Sequence, residues 1–347
     1  MTKAIIMAGG SGTRLRPLTN DYAKPMVPFF DEPVLAHLLR VLQRHGITEI
    51  VLTVHYKADQ IRDYFGDGRP FGLDLTYIIE EEPLGTAGSV KQAEAYLDDE
   101  PFVVMSGDII TDVDLSGLLS FHQEKQARAT MALKQVPDPL EYGVVRMMEG
   151  GRITQLIEKP ERDEVISHTI NAGIYVFEPE VLDWITPGIK CDFSKEIFPR
   201  FLATDTPLYG YCIEGYWCDI GTLDDYHGAT ADGLADHIHN GLERGRLMGD
   251  DVWAAADVVL SPEARLEGPI YLGHGVTLKA GCEVYGPAAI YRNTVVHRGA
   301  VIEQSIIGPD CRVGHHTRVK NSIISKDCLL TPGAIIEDAV LTRFDCA

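Results

Sequence analysis

Residues 4–19 read Ala4-Ile5-Ile6-Met7-Ala8-Gly9-Gly10-Ser11-Gly12-Thr13-Arg14-Leu15-Arg16-Pro17-Leu18-Thr19, an apolar strand that runs directly into a glycine-rich loop. Glycines lack a Cβ, so the backbone N–H groups of such a loop can approach an anion closely. Arg14 adds a planar fork of donors that suits phosphate oxygens. The stretch therefore predicts a phosphate-binding turn after the first strand. Its spacing matches neither the P-loop nor the dinucleotide motif Gly-x-Gly-x-x-Gly.

The first ~230 residues alternate apolar runs of strand length with helical patterns, which is typical of an α/β domain. One helix is predicted between Pro33 and Gly46, and another over Ala58–Phe65. Ligands of such domains bind at the carboxyl ends of the strands, where the glycine-rich loop lies. We predict a Rossmann-like α/β domain with a mixed, mostly parallel sheet. Besides residues 4–7, the strand candidates are Ile50–Val54, Leu75–Ile79, Phe102–Met105 and Ile153–Ile157.

The last ~90 residues follow a different pattern, a six-residue repeat that predicts a parallel β-helix. We place this domain at residues 252–347, the first domain at 1–236, and a polar linker near 237–251. All motifs lie before His239, so we expect deletion of the tail to leave the catalytic residues in place. Residues 341–347 form no clear cap, so the open end is covered either by a partner subunit or by further chain. The repeating apolar positions are Leu260, Leu266, Leu272, Leu278, Val284, Ile290, Val296, Ile302, Ile307, Val313, Val319, Ile324, Leu330 and Ile336.

Charge and composition exclude several classes of partner. The net charge of −20 argues against a nucleic-acid-binding surface, which needs a basic footprint. No apolar run approaches the roughly 20 residues of a membrane span, and we expect a cytoplasmic protein with no membrane partner. An acidic chain that binds anions needs local cations or a metal at the site. The seven cysteines, without a Cys-x-x-Cys pair, indicate free thiols in a reducing compartment.

The glycine-rich stretch, followed by Lys24-Pro25-Met26, resembles the signature of the sugar-1-phosphate nucleotidyltransferases, or nucleotide-sugar pyrophosphorylases. Such enzymes transfer a nucleotidyl group from an NTP to a sugar-1-phosphate and release pyrophosphate. The resemblance implies a Rossmann-like nucleotidyltransferase domain followed by a left-handed β-helix. It places Arg14 on the leaving phosphates and Lys24 on the transferring region. The loop residues implied in nucleotide binding are Ala8, Gly9, Gly10, Gly12 and Thr13.

Two aspartates are candidate ligands of Mg²⁺. Asp108 follows the apolar run 102–105 through Ser106-Gly107, and Asp219 lies in Trp217-Cys218-Asp219-Ile220-Gly221. A carboxylate at the carboxyl end of a central strand points to the ligand crevice, and its hard oxygens suit Mg²⁺. A helix cap is the alternative for Asp108. The resemblance implies that both aspartates hold Mg²⁺ on the nucleotide phosphates.

Five residues are implied in binding the sugar-1-phosphate. Lys159 follows the strand candidate that ends before Glu158, and the resemblance places Lys159 on the phosphate and Glu158 on sugar hydroxyls. The family's other sugar-contacting points match Tyr142-Gly143 and Asn171. Without the resemblance, these would be a solvated lysine and turn residues.

The base of the nucleotide is expected to lie against the run Glu80-Glu81-Glu82-Pro83-Leu84-Gly85-Thr86-Ala87-Gly88. In relatives that use UTP or dTTP, a Gln stands at the position of Glu80. A carboxylate has only acceptors, and guanine offers two adjacent donors, whereas uracil and thymine offer one donor between two carbonyls. Glu80 therefore favours GTP, unless it is a solvated member of an acidic run. The resemblance also implies nucleotide contacts at Pro83, Gly85, Thr86 and Gly88.

The acidic run and the hexapeptide tail resemble family members that convert GTP and mannose-1-phosphate. Three alternatives stay open: a glucose-1-phosphate nucleotidyltransferase using UTP, dTTP or ATP, a non-catalytic sensor of nucleotide sugars, and an acyltransferase acting through tail histidines. The expected partners are GTP or another NTP and a hexose-1-phosphate. We also expect a homo-oligomer, formed through the β-helix. The tail histidines are His274, His297, His315 and His316.

Overall fold

The computed structural model describes residues 2–249 and 251–345, which divide into two compact units. The first unit contains the chain up to Ser11 together with Leu38–Trp217. The second contains Gly12–His37 together with the chain from Cys218 onward. The segment Gly12–His37 thus has its contacts with the C-terminal part of the chain. The predicted domains at 1–236 and 252–347 were defined by sequence motifs and repeats, whereas the two units are defined by contacts between residues. The domain bounds therefore stay a prediction.

The regular elements up to residue 234 are numbered along the chain. Strands begin or end within one residue of the predicted bounds, and the helix expected between Pro33 and Gly46 begins at Val34. In order, the elements are β1 (Ala4–Met7), α1 (Leu18–Asp21), β2 (Pro28–Phe29), β3 (Glu32–Pro33), α2 (Val34–Arg44), β4 (Glu49–Val54), α3 (Ala58–Phe65), β5 (Asp74–Ile79), α4 (Gly85–Gln92), β6 (Phe102–Ser106), β7 (Ile109–Thr111), α5 (Leu115–Lys125), β8 (Ala129–Gln135), β9 (Gly143–Met147), β10 (Ile153–Glu158), β11 (Thr169–Phe177), α6 (Phe198–Ala203), β12 (Leu208–Cys212), β13 (Trp217–Asp219) and α7 (Leu223–Leu234).

The first unit is built on a nine-stranded mixed sheet, which confirms the predicted α/β class. Strands β5, β4, β1 and β6 run parallel, and β11 continues the sheet antiparallel to β6. The hairpin of β9 and β10 and the parallel pair of β8 and β12 extend the sheet beyond β11. Met7 pairs with both Thr53 and Ser106, so the loops that follow β1, β4 and β6 leave the sheet at one edge.

The core of this unit combines apolar strand residues with an aromatic cluster. Ala4, Ile5 and Ile6 of β1 are fully buried, as is typical of a central parallel strand that is covered on both faces. The rings of Phe177 and Phe193 stack 4.9 Å apart between their centroids. No helix among residues 2–249 and 251–345 is long and apolar enough to cross a membrane.

The C-terminal chain forms the predicted β-helix, with three sheets in which, from β15 onward, every third strand is a parallel neighbour. The strand that precedes them, β14, pairs antiparallel with β15. The spacing of the apolar positions drops from six residues to five between Ile302 and Ile307 and between Val319 and Ile324. Val259 pairs with Thr277, and Val295 pairs with Arg312, so a shorter step removes one residue from a coil while the parallel pairing of the strands continues. The strands are β14 (Arg246–Gly249), β15 (Val252–Ala254), β16 (Val259–Leu260), β17 (Arg265–Glu267), β18 (Ile270–Leu272), β19 (Thr277–Leu278), β20 (Glu283–Tyr285), β21 (Ala288–Ile290), β22 (Val295–Val296), β23 (Val301–Glu303), β24 (Ile306–Ile307), β25 (Arg312–Val313), β26 (Arg318–Lys320), β27 (Ile323–Ile324), β28 (Leu329–Leu330), β29 (Ile335–Glu337) and β30 (Val340–Leu341).

The repeating apolar side chains form the interior of the β-helix. Val284, Ile302 and Val319 succeed one another in one sheet and are fully buried. Buried threonines are satisfied by the backbone: the Thr294 hydroxyl donates to the carbonyl of Gly308 at 2.8 Å. The six-residue period therefore predicted both the fold and the residues of its core.

Candidate active site

In the second unit, Gly12 joins the glycine-rich loop to Lys24. Its φ of +61° lies in the left-handed region, and a Cβ there would lie 2.8 Å from Thr19 Cγ2 and 3.1 Å from Lys24 Cβ. The Thr19 hydroxyl donates to the Gly12 carbonyl at 2.8 Å. Glycine is therefore required at position 12 by both backbone conformation and space. Gly12, Thr19 and Lys24 are therefore closely packed against one another.

Lys24, Arg14 and Asp219 converge in this unit. Lys24 is only 9% exposed, and its Nζ lies 3.3 Å from Oδ1 of Asp219. A Cβ added to Gly221 would lie 3.2 Å from Oδ2 of Asp219 and 3.4 Å from Nη2 of Arg14. Two cations therefore flank one carboxylate at the end of β13, shortly before α7. Thr222 and Asp225 cap that helix through a reciprocal pair of hydrogen bonds.

In the first unit, the loop after β1 runs beside Glu80. The Ala8 N–H donates to the Thr53 carbonyl at 2.8 Å, which extends the sheet pairing by one residue. A Cβ on Gly9 would lie 3.4 Å from Oε2 of Glu80 and 3.4 Å from Cβ of His55. A Cβ on Gly10 would meet no atom of the described chain within 4 Å, so the loop is open at that point.

Glu80 is buried, whereas its neighbours Glu81 and Glu82 are exposed. The residue is 5% exposed, and burial raises the pKa of its carboxyl, against hydrogen bonds from Ser89 and the backbone of Leu84. No hydrogen-bond partner for Glu80 Oε1 occurs in residues 2–249 and 251–345. A buried oxygen of this kind is costly to leave unpaired. Glu80 is therefore not a solvated member of the acidic run.

The backbone N–H groups at the N-terminus of α4 donate hydrogen bonds to other residues of the chain. Oδ1 of Asp192 accepts the Thr86 N–H at 3.1 Å, and the Cys191 carbonyl accepts the Gly88 N–H at 3.0 Å. A Cβ on Gly85 would lie 2.6 Å from that same carbonyl. These backbone donors hold the segment near Cys191 in place. The exposed Pro83 lies in the turn between Glu80 and α4.

Asp108 lies at the carboxyl end of β6, as predicted from its sequence position. The Gly107 N–H donates to the Met7 carbonyl at 3.0 Å, which places Asp108 beside the end of β1. It does not cap the next helix, because Asp114 is the N-cap of α5 and accepts the Gly117 N–H at 3.0 Å. The alternative interpretation of Asp108 as a cap is therefore wrong.

The five residues implied in sugar-1-phosphate binding lie together in the first unit. Glu158 pairs with Gly143 across β10 and β9, and a Cβ on Gly143 would lie 2.7 Å from Oε2 of Glu158 and 3.6 Å from Cβ of Asn171. Burial raises the pKa of the Glu158 carboxyl, and the Lys159 ammonium opposes this shift. The Lys159 N–H donates to the Tyr142 carbonyl at 3.0 Å.

Two members of this cluster are oriented by neighbours that the sequence did not indicate. The Asn171 amide donates to the Tyr175 hydroxyl at 2.9 Å, and its oxygen accepts the Gly173 N–H at 3.0 Å. The Tyr142 ring packs edge-on against Trp217, whose indole N–H donates to the Ala172 carbonyl. Aromatic packing of this kind has no sequence signature.

His55 is the functional candidate that sequence reasoning missed. It follows β4 at the same sheet edge as the glycine-rich loop, and its Nδ1 lies 2.8 Å from the Glu80 carbonyl oxygen. The carboxyl-end rule that identified Asp108 applies equally to this position. Within residues 2–249 and 251–345, no group of three or more His, Cys, Asp or Glu side chains is placed to hold a metal ion.

Comparison with known proteins identifies the family. A model of the nucleotidyl transferase family matches residues 3–235, and one of the GMPPB C-terminal domain matches residues 248–344. The chain is 35% identical to UTP–glucose-1-phosphate uridylyltransferase of Synechocystis sp., over 96% of this chain and 90% of that protein. It is 37% identical to mannose-1-phosphate guanylyltransferase of Mycobacterium tuberculosis, over 87% of this chain and 83% of that protein.

Solved structures agree with this result. HddC from Yersinia pseudotuberculosis, whose structure is also known in complex with GMP-PN, has a TM-score of 0.58 at 29% identity. The match covers 66% of this chain and 98% of that chain. The family predicted from the glycine-rich stretch is thereby confirmed: the chain belongs to the nucleotidyl transferase family.

Proposed function

We propose that the chain is a mannose-1-phosphate guanylyltransferase, which converts GTP and mannose-1-phosphate to GDP-mannose and pyrophosphate. The observation that carries the choice of base is Glu80, a buried carboxylate beside Gly9 with an oxygen that lacks a partner among the described residues. Guanine presents N1–H and its 2-amino group side by side, and a carboxylate accepts from both. The guanylyltransferase names of several relatives support the same choice.

The reaction asks the protein to bind two anions and to neutralise charge, rather than to form a covalent intermediate. A phosphate oxygen of the sugar-1-phosphate attacks the α-phosphorus, the bond from that phosphorus to the bridging oxygen breaks, and pyrophosphate leaves. Lys159 binds the attacking phosphate, and Glu158 and Asn171 bind sugar hydroxyls. Arg14 binds the departing phosphates and Lys24 the transferring group. These cations outweigh the distant and screened acidic surface.

We assign Asp108 and Asp219 as ligands of Mg²⁺. Mg²⁺ at nucleotide sites takes one or two carboxylates and completes its shell with phosphate oxygens and water. The donor chemistry fits, because each of the two residues offers carboxylate oxygens, the hard ligands that Mg²⁺ prefers. When bound, Mg²⁺ supplies positive charge to the nucleotide phosphates.

A glucose-1-phosphate nucleotidyltransferase that uses UTP is the second candidate, favoured by the uridylyltransferase relative that matches 96% of this chain. A sensing homologue without activity is less well supported, because each proposed cation and carboxylate is present in the sequence. A cytoplasmic location and a homo-oligomer are predictions from the sequence.

Replacing Glu80 with Gln tests the assignment of the base. An amide offers one donor and one acceptor, which complements a pyrimidine rather than guanine. We expect the ratio of kcat/KM for GTP to that for UTP to fall on the order of ten-fold or more, from a lost contact of roughly 1–3 kcal/mol. The matched controls are Glu81→Gln and Glu82→Gln, both exposed members of the same run. An unchanged ratio in Glu80→Gln would show that other groups read the base.

Acidification should imitate this substitution. Burial raises the pKa of Glu80, so the carboxyl takes up a proton at a higher pH than an exposed glutamate does. The protonated form has one donor and one acceptor, so the preference for GTP over UTP should narrow as the pH falls through that pKa. Glu80→Gln cannot titrate at this position, and its preference should not follow that pH dependence.

A further inference from the structure

The β-helix contacts the segment that carries Lys24 through the two-residue turn between β2 and β3, here called the hairpin tip (Phe30 and Asp31). Both residues are left-handed, with φ of 52° and 66°. Hairpin turns with two positive φ values are formed mainly by Asn, Asp and Gly, and a phenylalanine there is unusual. The contacts of the tip must therefore hold it in this conformation.

The Asp31 carboxylate bridges two successive coils of the β-helix. Oδ2 accepts the His274 N–H at 2.8 Å, and Oδ1 accepts the Arg292 N–H at 2.7 Å. His274 and Arg292 occupy equivalent positions, two residues beyond the paired Leu272 and Ile290. The equivalent position in the next coil is Pro309, which has no N–H to offer.

The surroundings of Asp31 are shaped for its carboxylate. A Cβ on Gly273 would overlap both carboxylate oxygens, so this coil position accommodates Asp31 only because it is a glycine. Burial raises the pKa of Asp31, and hydrogen bonds from the two backbone N–H groups and the Tyr271 hydroxyl oppose that shift. The three hydrogen bonds compensate the Asp31 carboxylate for its burial, so the pocket binds this side chain specifically.

The other tip residue is fixed between α7 and the β-helix. Phe30 is 1% exposed, and its ring centroid lies 5.0 Å from that of Tyr271. A Cβ on Gly233 of α7 would lie 2.7 Å from the Phe30 ring. The Tyr226 hydroxyl, also on α7, donates to the Pro28 carbonyl at 2.6 Å. The hairpin is therefore held from both sides.

A short and stiff stretch connects this hairpin to Lys24. Pro25 and Pro28 each restrict a backbone φ, and the Val34 N–H donates to the Val27 carbonyl at 3.1 Å, which closes the base of the hairpin. A displacement of the tip therefore reaches Lys24 instead of being absorbed by a flexible linker. Upstream, Asp21 lies 3.5 Å from Nε of Arg343, a second attachment of the segment to the C-terminal chain.

We propose that Asp31 is a positioning residue, which places Lys24 beside Asp219 by attaching the hairpin tip to two coils of the β-helix. The β-helix is then part of the catalytic apparatus. The proposal predicts that deletion of the tail displaces Lys24, contrary to the expectation from the sequence. The role of Lys24 in turnover rests on the proposed function, whereas its placement by Asp31 does not.

Asp31→Ala and Asp31→Asn test the proposal. The alanine variant removes both acceptors, and the asparagine variant keeps one oxygen, so their effects should be graded. We expect kcat with GTP and mannose-1-phosphate to fall on the order of ten- to a hundred-fold in Asp31→Ala, because misplaced catalytic groups cost rate. The Kd of GTP, measured by calorimetry, should change far less than kcat.

A second measurement follows Lys24 without requiring activity. Its ammonium is poorly exposed and paired with Asp219, so acetic anhydride should label it slowly in the unmodified protein. Release of the hairpin should speed labelling on the order of ten-fold in Asp31→Ala, read by peptide mass spectrometry. Asp338→Asn, at a positive-φ turn of the β-helix, and Ile302→Val, in its core, are controls expected to leave both kcat and labelling unchanged.

Each outcome decides the proposal. Unchanged labelling of Lys24 in both Asp31 variants overturns it, whereas faster labelling with an unchanged kcat supports the placement of Lys24 by Asp31 and contradicts the role of Lys24 in turnover. If Asp31→Ala does not fold, Asp31→Asn is judged by the same criteria. If the unmodified protein releases no pyrophosphate from any substrate pair, the proposed function fails, and the labelling rates alone decide whether Asp31 positions Lys24.

Discussion

Replacing Lys24 with methionine should lower kcat on the order of 10²–10³-fold, the usual cost of removing a preorganised charged donor from a transition state. Methionine keeps most of the side-chain volume and removes only the ammonium that lies 3.3 Å from Asp219. Because Asp219 remains about a quarter exposed, the melting temperature should change little. The measurement is steady-state release of pyrophosphate, with calorimetric melting as the check on folding.

The control for this variant is Lys279→Met, which removes an exposed ammonium from a turn of the β-helix. It should retain the full rate. A Lys24→Met enzyme that turned over at more than about a third of the normal rate would show that the ammonium does not contact the transferring group.

Asp108→Asn and Asp219→Asn should each reduce turnover below about a tenth of normal at saturating Mg²⁺, because an amide oxygen is a poor substitute for a carboxylate ligand. The apparent Mg²⁺ requirement should rise in both variants. Asp63→Asn, at an exposed position of α3, is the matched control and should behave like the unmodified protein.

Either aspartate ceases to be a candidate ligand if its variant keeps more than about a tenth of the rate and an unaltered Mg²⁺ requirement. Asp219→Asn also weakens the ion pair between Asp219 and Lys24, and this effect can be distinguished from a loss of metal binding. Loss of the ion pair alone should alter the labelling of Lys24 without altering the Mg²⁺ requirement.

Local signals in the sequence predicted the regular elements well. β1 and α3 have the expected bounds, and the strands expected at 50–54, 75–79 and 102–105 are each one residue longer. Such elements follow from the spacing of apolar residues and from glycine or proline at their ends, which are short-range properties. The β-helix was predictable for the same reason, since each coil repeats one local pattern.

Contacts between distant segments were not predictable from those signals. The sequence placed Asp31 in no motif, yet its carboxylate accepts the His274 N–H from a coil more than two hundred residues away. The sequence allowed Glu80 to be either a base-recognising residue or a solvated member of the acidic run. The structure decides between these interpretations, because Glu80 is buried whereas Glu81 is exposed. Backbone donors and burial depend on the assembled fold, and residue types alone do not encode them.

The identity of the substrates is tested most directly by a panel of four nucleotides, GTP, UTP, dTTP and ATP, each with mannose-1-phosphate and with glucose-1-phosphate. Pyrophosphate release is recorded for every pair, with Mg²⁺ present. We predict the highest kcat/KM for GTP with mannose-1-phosphate, by about ten-fold or more over UTP with either sugar. A highest value for UTP with glucose-1-phosphate, or release from none of the pairs, would contradict the account.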